Sequence, residues 1–357
     1  MFHSFRAPRR FAHIALVLAA CASAQQPKFK AIWEPVNVKE DLHLASAHFV
    51  TPEEGWAAGG ASTLAGGVIL HTKDSGASWE VQLGDPQSSD RAYHDFRFSG
   101  PLGWAVQSTG TGDHKLLRLD GSEWKAVGTV AQHRGDYRFT SAQTGFVTTG
   151  DTIQKTQDGG RSWRPVYRCQ MKVEVNGLTR DFKCQFAKLF FLNERTGWAI
   201  SAAADKAGFL IAKTSDGGGT WESSVVLPGE DPREGSIWFT DEIHAALLTG
   251  GKFFYSADGG KTWTGASGEA PGKPEIEFAG TQVGWAIHYN KMSYTVDGGK
   301  HWVSRQINFP SAVLGFTLTR PDSGYVAGDH GMVYRYRVVP IEYTAKGMLA
   351  APMMAAK

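Results

Sequence analysis

Arg97 and Arg138 each stand immediately before a phenylalanine, Phe98 and Phe139, and His48 takes the same place before Phe49. An arginine offers a planar fork of N–H donors that fits a carboxylate, and a histidine can add another donor. If these stretches are structural repeats, equivalent positions face equivalent directions. The three residues then form a local basic patch beside a shared axis, suited to a carboxylate or an acidic protein surface. The opposing expectation is that each is neutralised by a nearby acid such as Asp95 or Asp136. Predicted loops on the same side carry Arg91, His94, Asp113, His114, His133, Arg134, Asp205, His288, Asp329 and His330. Of these, Arg91 and Arg134 extend the candidate patch. The rest read as solvated loop residues.

Signatures of known enzyme chemistry are missing. The sequence has no Gly-x-Ser-x-Gly, no His-Glu-x-x-His and no phosphate-binding loop, and its Gly-Gly pairs read as turns. Neither a cofactor nor a metal is called for. The recurring aspartates Asp74, Asp120, Asp158, Asp216, Asp258 and Asp297 belong to turns and are not read as catalytic carboxylates.

Those aspartates mark the repeat that organises the chain. TKDSGASW ends at Trp79, TQDGGRSW at Trp163, TSDGGGTW at Trp221, SADGGKTW at Trp263 and TVDGGKHW at Trp302, with a shortened RLDGSEW at Trp124. A Gly-aromatic pair recurs at Gly55-Trp56, Gly103-Trp104, Gly145-Phe146, Gly197-Trp198, Gly284-Trp285 and Gly324-Tyr325. HAALLTG, from His244, fills the one gap without that pair. Five or six residues before each unit's pair stands Phe49, Phe98, Phe139, Phe191, Phe239, Phe278 or Leu318. Seven units of about 45 residues predict an all-β, seven-bladed propeller of four-stranded blades over residues 27–340. In each box, glycines permit positive φ, the Asp carboxylate accepts turn N–H groups, and the Trp covers the turn. The last unit lacks a box Trp, and Trp33 precedes the first unit unmatched. The N-terminal strand is therefore expected to close the last blade, removing a seam of open strand edges.

The largest spacing between box tryptophans, Trp163 to Trp221, contains Cys169 and Cys184. Between them Asn176-Gly177 is a strong signal for a two-residue hairpin turn. In that register Cys169 falls opposite Cys184, Val175 opposite Leu178, Met171 opposite Phe182 and Lys172 opposite Asp181. A hairpin over 169–184 stapled by a disulfide follows, with two free thiols as the alternative. The first 26 residues read as an export signal: arginines at 6, 9 and 10, then an apolar stretch, Phe11 to Ala20, too short to span a bilayer. Leu18-Ala19-Ala20-Cys21 fits a lipobox with lipidation at Cys21, while Ala22-Ser23-Ala24 fits ordinary signal peptidase. Without that segment's three arginines, the 37 basic residues fall to 34 against 35 acidic ones. No basic excess points to nucleic acid. The tail 341–357 lacks a strand pattern and is expected to be disordered.

The Gly-Trp-Ala and Asp-Gly-Gly-x-x-Trp pattern resembles the photosystem II stability and assembly factor-like propellers, over about 300 residues of the 357. The resemblance implies a non-catalytic, exported, periplasmic or envelope-associated monomer, lipid-anchored where Cys21 is modified. It implies a protein partner, membrane-associated partners included, and membrane contact through the anchor alone. Look-alikes occur in bacteria without photosynthesis, so the photosystem client is not carried over. Sialidases resemble the chain in the turn motif but have six blades and an early Arg motif missing here. Xyloglucan-cleaving hydrolases resemble it too, yet need two propellers and the cleft between them. A glycan-active hydrolase using loop carboxylates is the alternative function.

Overall fold

The computed structural model describes residues 29–61, 67–85, 91–109, 114–130, 135–175, 178–182, 184–203, 209–227, 235–272 and 275–340. The expected export signal with Cys21 and the expected tail lie outside them. Strand β1 (Phe29–Val36) precedes a first meander of β2 (Leu42–Phe49), β3 (Gly55–Ala61), β4 (Val68–Thr72) and β5 (Glu80–Gly84). Blade 2 is β6 (Arg91–Ser99), β7 (Leu102–Thr109), β8 (His114–Asp120) and β9 (Glu123–Thr129). Blade 3 is β10 (Tyr137–Phe139), β11 (Gly145–Thr149), β12 (Thr152–Thr156) and β13 (Arg164–Arg168). A separate two-stranded sheet follows, β14 (Met171–Val175) and β15 (Leu178–Phe182).

Blade 4 is β16 (Cys184–Phe191), β17 (Gly197–Ala203), β18 (Phe209–Thr214) and β19 (Glu222–Leu227). Blade 5 is β20 (Ser236–Phe239), β21 (Ala245–Thr249), β22 (Lys252–Ser256) and β23 (Thr264–Gly265). Blade 6 is β24 (Glu275–Ala279), β25 (Val283–His288), β26 (Lys291–Thr295) and β27 (Val303–Gln306). Blade 7 takes β28 (Val313–Arg320), β29 (Ser323–Gly328) and β30 (Val333–Pro340), with β1 as its outer strand.

Seven four-stranded blades make an all-β propeller of residues Ala31–Val338, with no helix among the described residues. Of the second unit, Met1–Lys30 with Val339–Lys357, the described residues are Phe29, Lys30, Val339 and Pro340, the ends of β1 and β30. In the closing blade Trp33 packs against Trp285, Phe309 and Tyr336, with ring centroids 5.1–5.6 Å apart. Glu34 accepts hydrogen bonds from Arg335 at 2.7 and 3.1 Å. Closure therefore rests on both an aromatic cluster and an ion pair.

Blade-to-blade packing explains the Gly-aromatic pairs. In five blades the repeat phenylalanine of the first strand lies opposite a glycine of the second, as in Phe49 with Gly55 and Phe191 with Gly197. A Cβ on Gly197 would stand 2.5 Å from the Phe191 ring, so the ring needs a bare backbone there. The aromatic after the glycine then stacks on the next blade's phenylalanine: Trp104 on Phe139 at 4.3 Å, Phe146 on Phe191 at 4.3 Å, Trp198 on Phe239 at 3.6 Å. Tyr325 of blade 7 stacks on Phe49 of blade 1 at 3.5 Å and completes the circuit. Box tryptophans meet the same phenylalanines edge-on, Trp79 on Phe49 and Trp221 on Phe191. Each such pair adds about 0.5–1.5 kcal/mol beyond its buried area.

The five full-length boxes share one wiring. In blade 4 the Asp216 carboxylate accepts the N–H groups of Gly219 and Thr220 and the hydroxyls of Thr214 and Thr220, all at 2.9 Å. Gly217 N–H reaches the Arg195 carbonyl at 2.8 Å, tying this turn to the one joining the first two strands. The shortened copy is built differently. Asp120 pairs with Glu123 across a two-residue turn, and its exposed carboxylate reaches Lys125 at 3.5 Å. In this box, one residue shorter, the carboxylate meets Lys125 in place of the turn N–H groups that the full-length boxes gather.

The inserted hairpin has the register read from Asn176-Gly177, with Met171 opposite Phe182 and Val175 opposite Leu178. Cys169 and Cys184 are disulfide-bonded at a Cα separation of 6.1 Å. Both pack in the core between blades 3 and 4, where Cys169 N–H donates to the Asp151 carbonyl at 2.9 Å. The bond thus ties the outer strand of one blade to the inner strand of the next, and closing such a loop is worth about 3 kcal/mol.

Two outcomes are expected. Gly197→Val should lose about 1–3 kcal/mol of stability by urea denaturation despite valine's better strand propensity, because Phe191 must leave its stack. An unchanged midpoint would refute the close-approach account. The Thr220 backbone N–H, then its hydroxyl, hold the Asp216 carboxyl down to about 2. A depressed folded value stabilises at pH above the unfolded value, near 4, and that stability drains as pH falls towards 2. Melting curves of Asp216→Asn should therefore show a smaller loss between about pH 4 and pH 2 than the native protein.

Candidate functional site

The first strands of all seven blades surround a cavity of about 570 Å³. Strand alternation sends each repeat phenylalanine into a blade interface and the residue before it towards this axis. Around the ring that preceding position holds His48, Arg97, Arg138, Phe190, Trp238, Glu277 and Thr317. The first six line the cavity, with Lys188, Glu275 and Phe316 beside them.

Asp136 is the hub of the basic side. It is buried, and its Oδ1 accepts from Arg97 Nη2 at 3.1 Å and from Arg138 Nη1 at 3.3 Å. The N–H of Tyr137 also reaches Oδ1, and that of Leu189 reaches Oδ2, each at 3.0 Å. Burial alone would depress the Arg97 guanidinium, but Asp136, then Glu275, hold it well above its ordinary value. His48 stacks on Phe98 at 4.5 Å. Burial, then Arg97, push its imidazole down to about 4, so it is neutral at pH 7. The structure therefore brings the three sequence-predicted residues together, with two positive charges sharing one buried carboxylate and one histidine uncharged. Arg138 keeps spare capacity: among the described residues its hydrogen bonds run from Nη1, to Asp136 and to the Tyr137 carbonyl, each at 3.3 Å.

Across the cavity the charge reverses. Lys188 Nζ lies 3.4 Å from Glu275 Oε1 and holds that carboxyl below its ordinary range. Two residues along β24, burial pushes Glu277 up to about 8, with the Thr317 hydroxyl donating to it at 3.2 Å. Phe190 and Trp238 stand between the basic and acidic sides. Sequence reasoning missed Lys188, Trp238, Glu275 and Glu277. The signal was present, since Phe190, Trp238 and Glu277 occupy the same repeat position as Arg97.

Other candidates fall elsewhere. Arg91 opens β6 opposite Thr109 and is exposed, outside the cavity wall. Arg134, His133, Asp113 and Asp205 lie outside the described residues. His330 meets Asp41 at 2.9 Å, and His43 pairs with Asp329. His94 and His114 both reach the Ser108 hydroxyl, at 2.6 and 2.8 Å.

Residues 116–277 match the sequence model of the family described as photosynthesis system II assembly factor YCF48. Among curated protein sequences, none matches this chain significantly. The fold is similar to a structure of YCF48 bound to D1 peptide, at 17% identity and TM-score 0.58, covering 85% of this chain and 96% of that one. It is similar to YCF48 from Cyanidioschyzon merolae at 18% identity and TM-score 0.59, over 85% and 98%. A xyloglucanase from Xanthomonas campestris matches at 14% identity and TM-score 0.57, over 85% of this chain and 53% of that enzyme. At these identities the likenesses concern the fold.

Removing one partner of the Asp136 hub tests its weight. Arg97→Ala is expected to cost about 3 kcal/mol in urea denaturation, because it strips the better-placed guanidinium from a buried carboxylate. Arg138→Ala should cost less than about 1 kcal/mol, since Arg97 and two backbone N–H groups remain. Equal losses would contradict the hub.

Proposed function

We propose that this chain, an Asp-box propeller similar to the photosystem II assembly factors, binds a segment of a protein partner at the mouth of its central cavity. The observation that carries this reading is Arg138. It lies on the cavity wall with Nε and Nη2 not engaged among the described residues, and Phe190 and Trp238 line the same space. A guanidinium edge beside aromatic faces suits an extended peptide with a carboxylate and apolar side chains. That a similarly folded YCF48 is bound to a D1 peptide supports a peptide as the kind of ligand. The envelope location, the lipid anchor at Cys21, the monomeric state and a role in assembling or stabilising a membrane complex belong to the same proposal. They rest on the N-terminal signal pattern and the family resemblance.

One observation favours glycan hydrolysis as a second reading. Glu277 is pushed up to about 8 while Glu275, two residues away, is held low, which is the split an acid–base pair needs. Against it, the xyloglucanase match spans about half of that enzyme.

The test is affinity capture by the mature protein from its native membrane fraction, with captured proteins identified and then rebound as purified segments. Arg138→Ala and Trp238→Ala should each weaken rebinding at least about tenfold while melting as the native protein does. No specific protein captured, together with glycoside hydrolysis abolished by Glu277→Gln, would replace the first reading by the second.

A further inference from the structure

At the rim of the cavity His94 and Asp95 are joined to Ser108 of the neighbouring strand in the order used for acyl transfer. His94 Nδ1 lies 2.8 Å from Asp95 Oδ2, and His94 Nε2 lies 2.6 Å from Ser108 Oγ. The hydrogen positions follow from the partners. Burial would raise Asp95, but the His94 hydrogen bond, then the Arg97 charge, hold it down to about 2, so its carboxylate only accepts. His94 Nδ1 therefore carries a hydrogen, and in the neutral imidazole Nε2 holds the lone pair that accepts the Ser108 O–H. In that arrangement the other contact of Ser108, with His114 Nδ1 at 2.8 Å, is an N–H donated to the serine oxygen. A nucleophile, a base and an orienting carboxylate are thus assembled.

Local backbone makes this arrangement possible. In a regular strand, neighbours such as His94 and Asp95 point to opposite faces. In β6 the register to β7 jumps between His94 and Arg97, and Asp95 adopts φ 54°, a left-handed conformation costly for a residue with a Cβ. The bulge turns the Asp95 carboxylate back onto its neighbour's imidazole. Tyr137 fixes it from blade 3, donating its hydroxyl to the Asp95 carbonyl at 2.5 Å. His94 and Asp95 line the cavity, and Ser108 is half-buried on β7. This constellation has no sequence signature, because it joins neighbouring strands and not a nucleophile elbow.

We propose that Ser108, with His94 as base and Asp95 as positioning residue, hydrolyses small carboxylic esters at the cavity rim. Ser108 Oγ attacks the ester carbonyl carbon while its proton passes to His94 Nε2. The carbon–alkoxide bond breaks as that proton is delivered to the leaving oxygen, giving an alcohol and acyl-Ser108. Water then attacks the acyl carbon, gives a proton to His94, and the carboxylic acid leaves as Ser108 is reprotonated. Esters are favoured over amides because their leaving group departs readily.

The inference is independent of partner binding. The test treats the full chain with a fluorophosphonate probe and, separately, with p-nitrophenyl acetate. A single adduct on Ser108 is expected. Ser108→Ala and His94→Gln should each lower kcat/KM at least about 100-fold while melting as the native protein does. Asp95→Asn should lower kcat far more than it raises KM. Folded native protein with no adduct on Ser108, or hydrolysis unchanged by Ser108→Ala, would overturn the proposal. Because Ser108 lies off the Arg138 wall, partner capture by Ser108→Ala reports on the binding reading separately.

Discussion

One aromatic contact, repeated around the ring, holds this molecule together: a first-strand phenylalanine stacked on the aromatic of the preceding blade. In blades 1 to 4 a second-strand glycine lies under the phenylalanine ring and a box tryptophan meets that ring edge-on, while in blade 5 Ala245 takes the glycine's place. Sheets have no intrinsic reason to stop at seven blades. The angle between adjacent blades is set by how closely their faces approach, and here the stacks set that approach at 3.5–5.0 Å between ring centroids. Where a blade departs from the rule, a neighbour compensates. Blade 5 has Ala245-Ala246 in place of Gly-aromatic, and Phe253 of its third strand stacks instead on Trp302 of blade 6 at 4.2 Å. The box turns serve the same end, since each locks the Trp-bearing turn to the turn beneath the phenylalanine.

How much of this was legible depends on what repeats. The blade count, ring closure by Trp33 and the Cys169–Cys184 pairing could be read because periodicity and hairpin register are local properties of a chain. The reason for Gly55 or Gly197 was not legible as a turn signal, because their requirement is a ring packed from the opposite strand. Asp120 looked like its five relatives, yet with one residue missing its carboxylate meets Lys125 and not the turn N–H groups that occupy the others. The candidate site was legible in part. His48, Arg97 and Arg138 were picked out by charge at one repeat position. Glu277 and Trp238 hold that same position but lack a shared residue type. The Ser108 relay lay beyond sequence reasoning, since a bulge and a left-handed Asp95 have no residue signature.

Charge in the cavity is arranged under a constraint that the stacks impose. Packing first strands close together leaves little water for an isolated ion, so each charge is met nearby. Arg97 and Arg138 share Asp136, Lys188 takes Glu275, His48 stays neutral, and burial favours the protonated form of Glu277. Such pairing is weak evidence for stability. Its use is to fix long side chains in place, so that the donors Arg138 retains have a defined direction.

Fold and function are consequently interleaved at single-residue spacing. The repeat position near the end of each first strand is phenylalanine in six blades and leucine in one, and it belongs to the blade interfaces. The position before it is histidine, arginine, arginine, phenylalanine, tryptophan, glutamate and threonine, with no common chemistry. Selection on the ring position can therefore change what the cavity recognises without disturbing blade packing, except where a charge there is tied to a buried partner. Arg97 is tied in this way to Asp136, whereas Arg138 uses a single nitrogen. A carboxylate arriving at Arg138 adds to the hub and need not displace Asp136, because a guanidinium fork can serve two acceptors at once. On the proposed function, recognition at this rim is then additive to the fold.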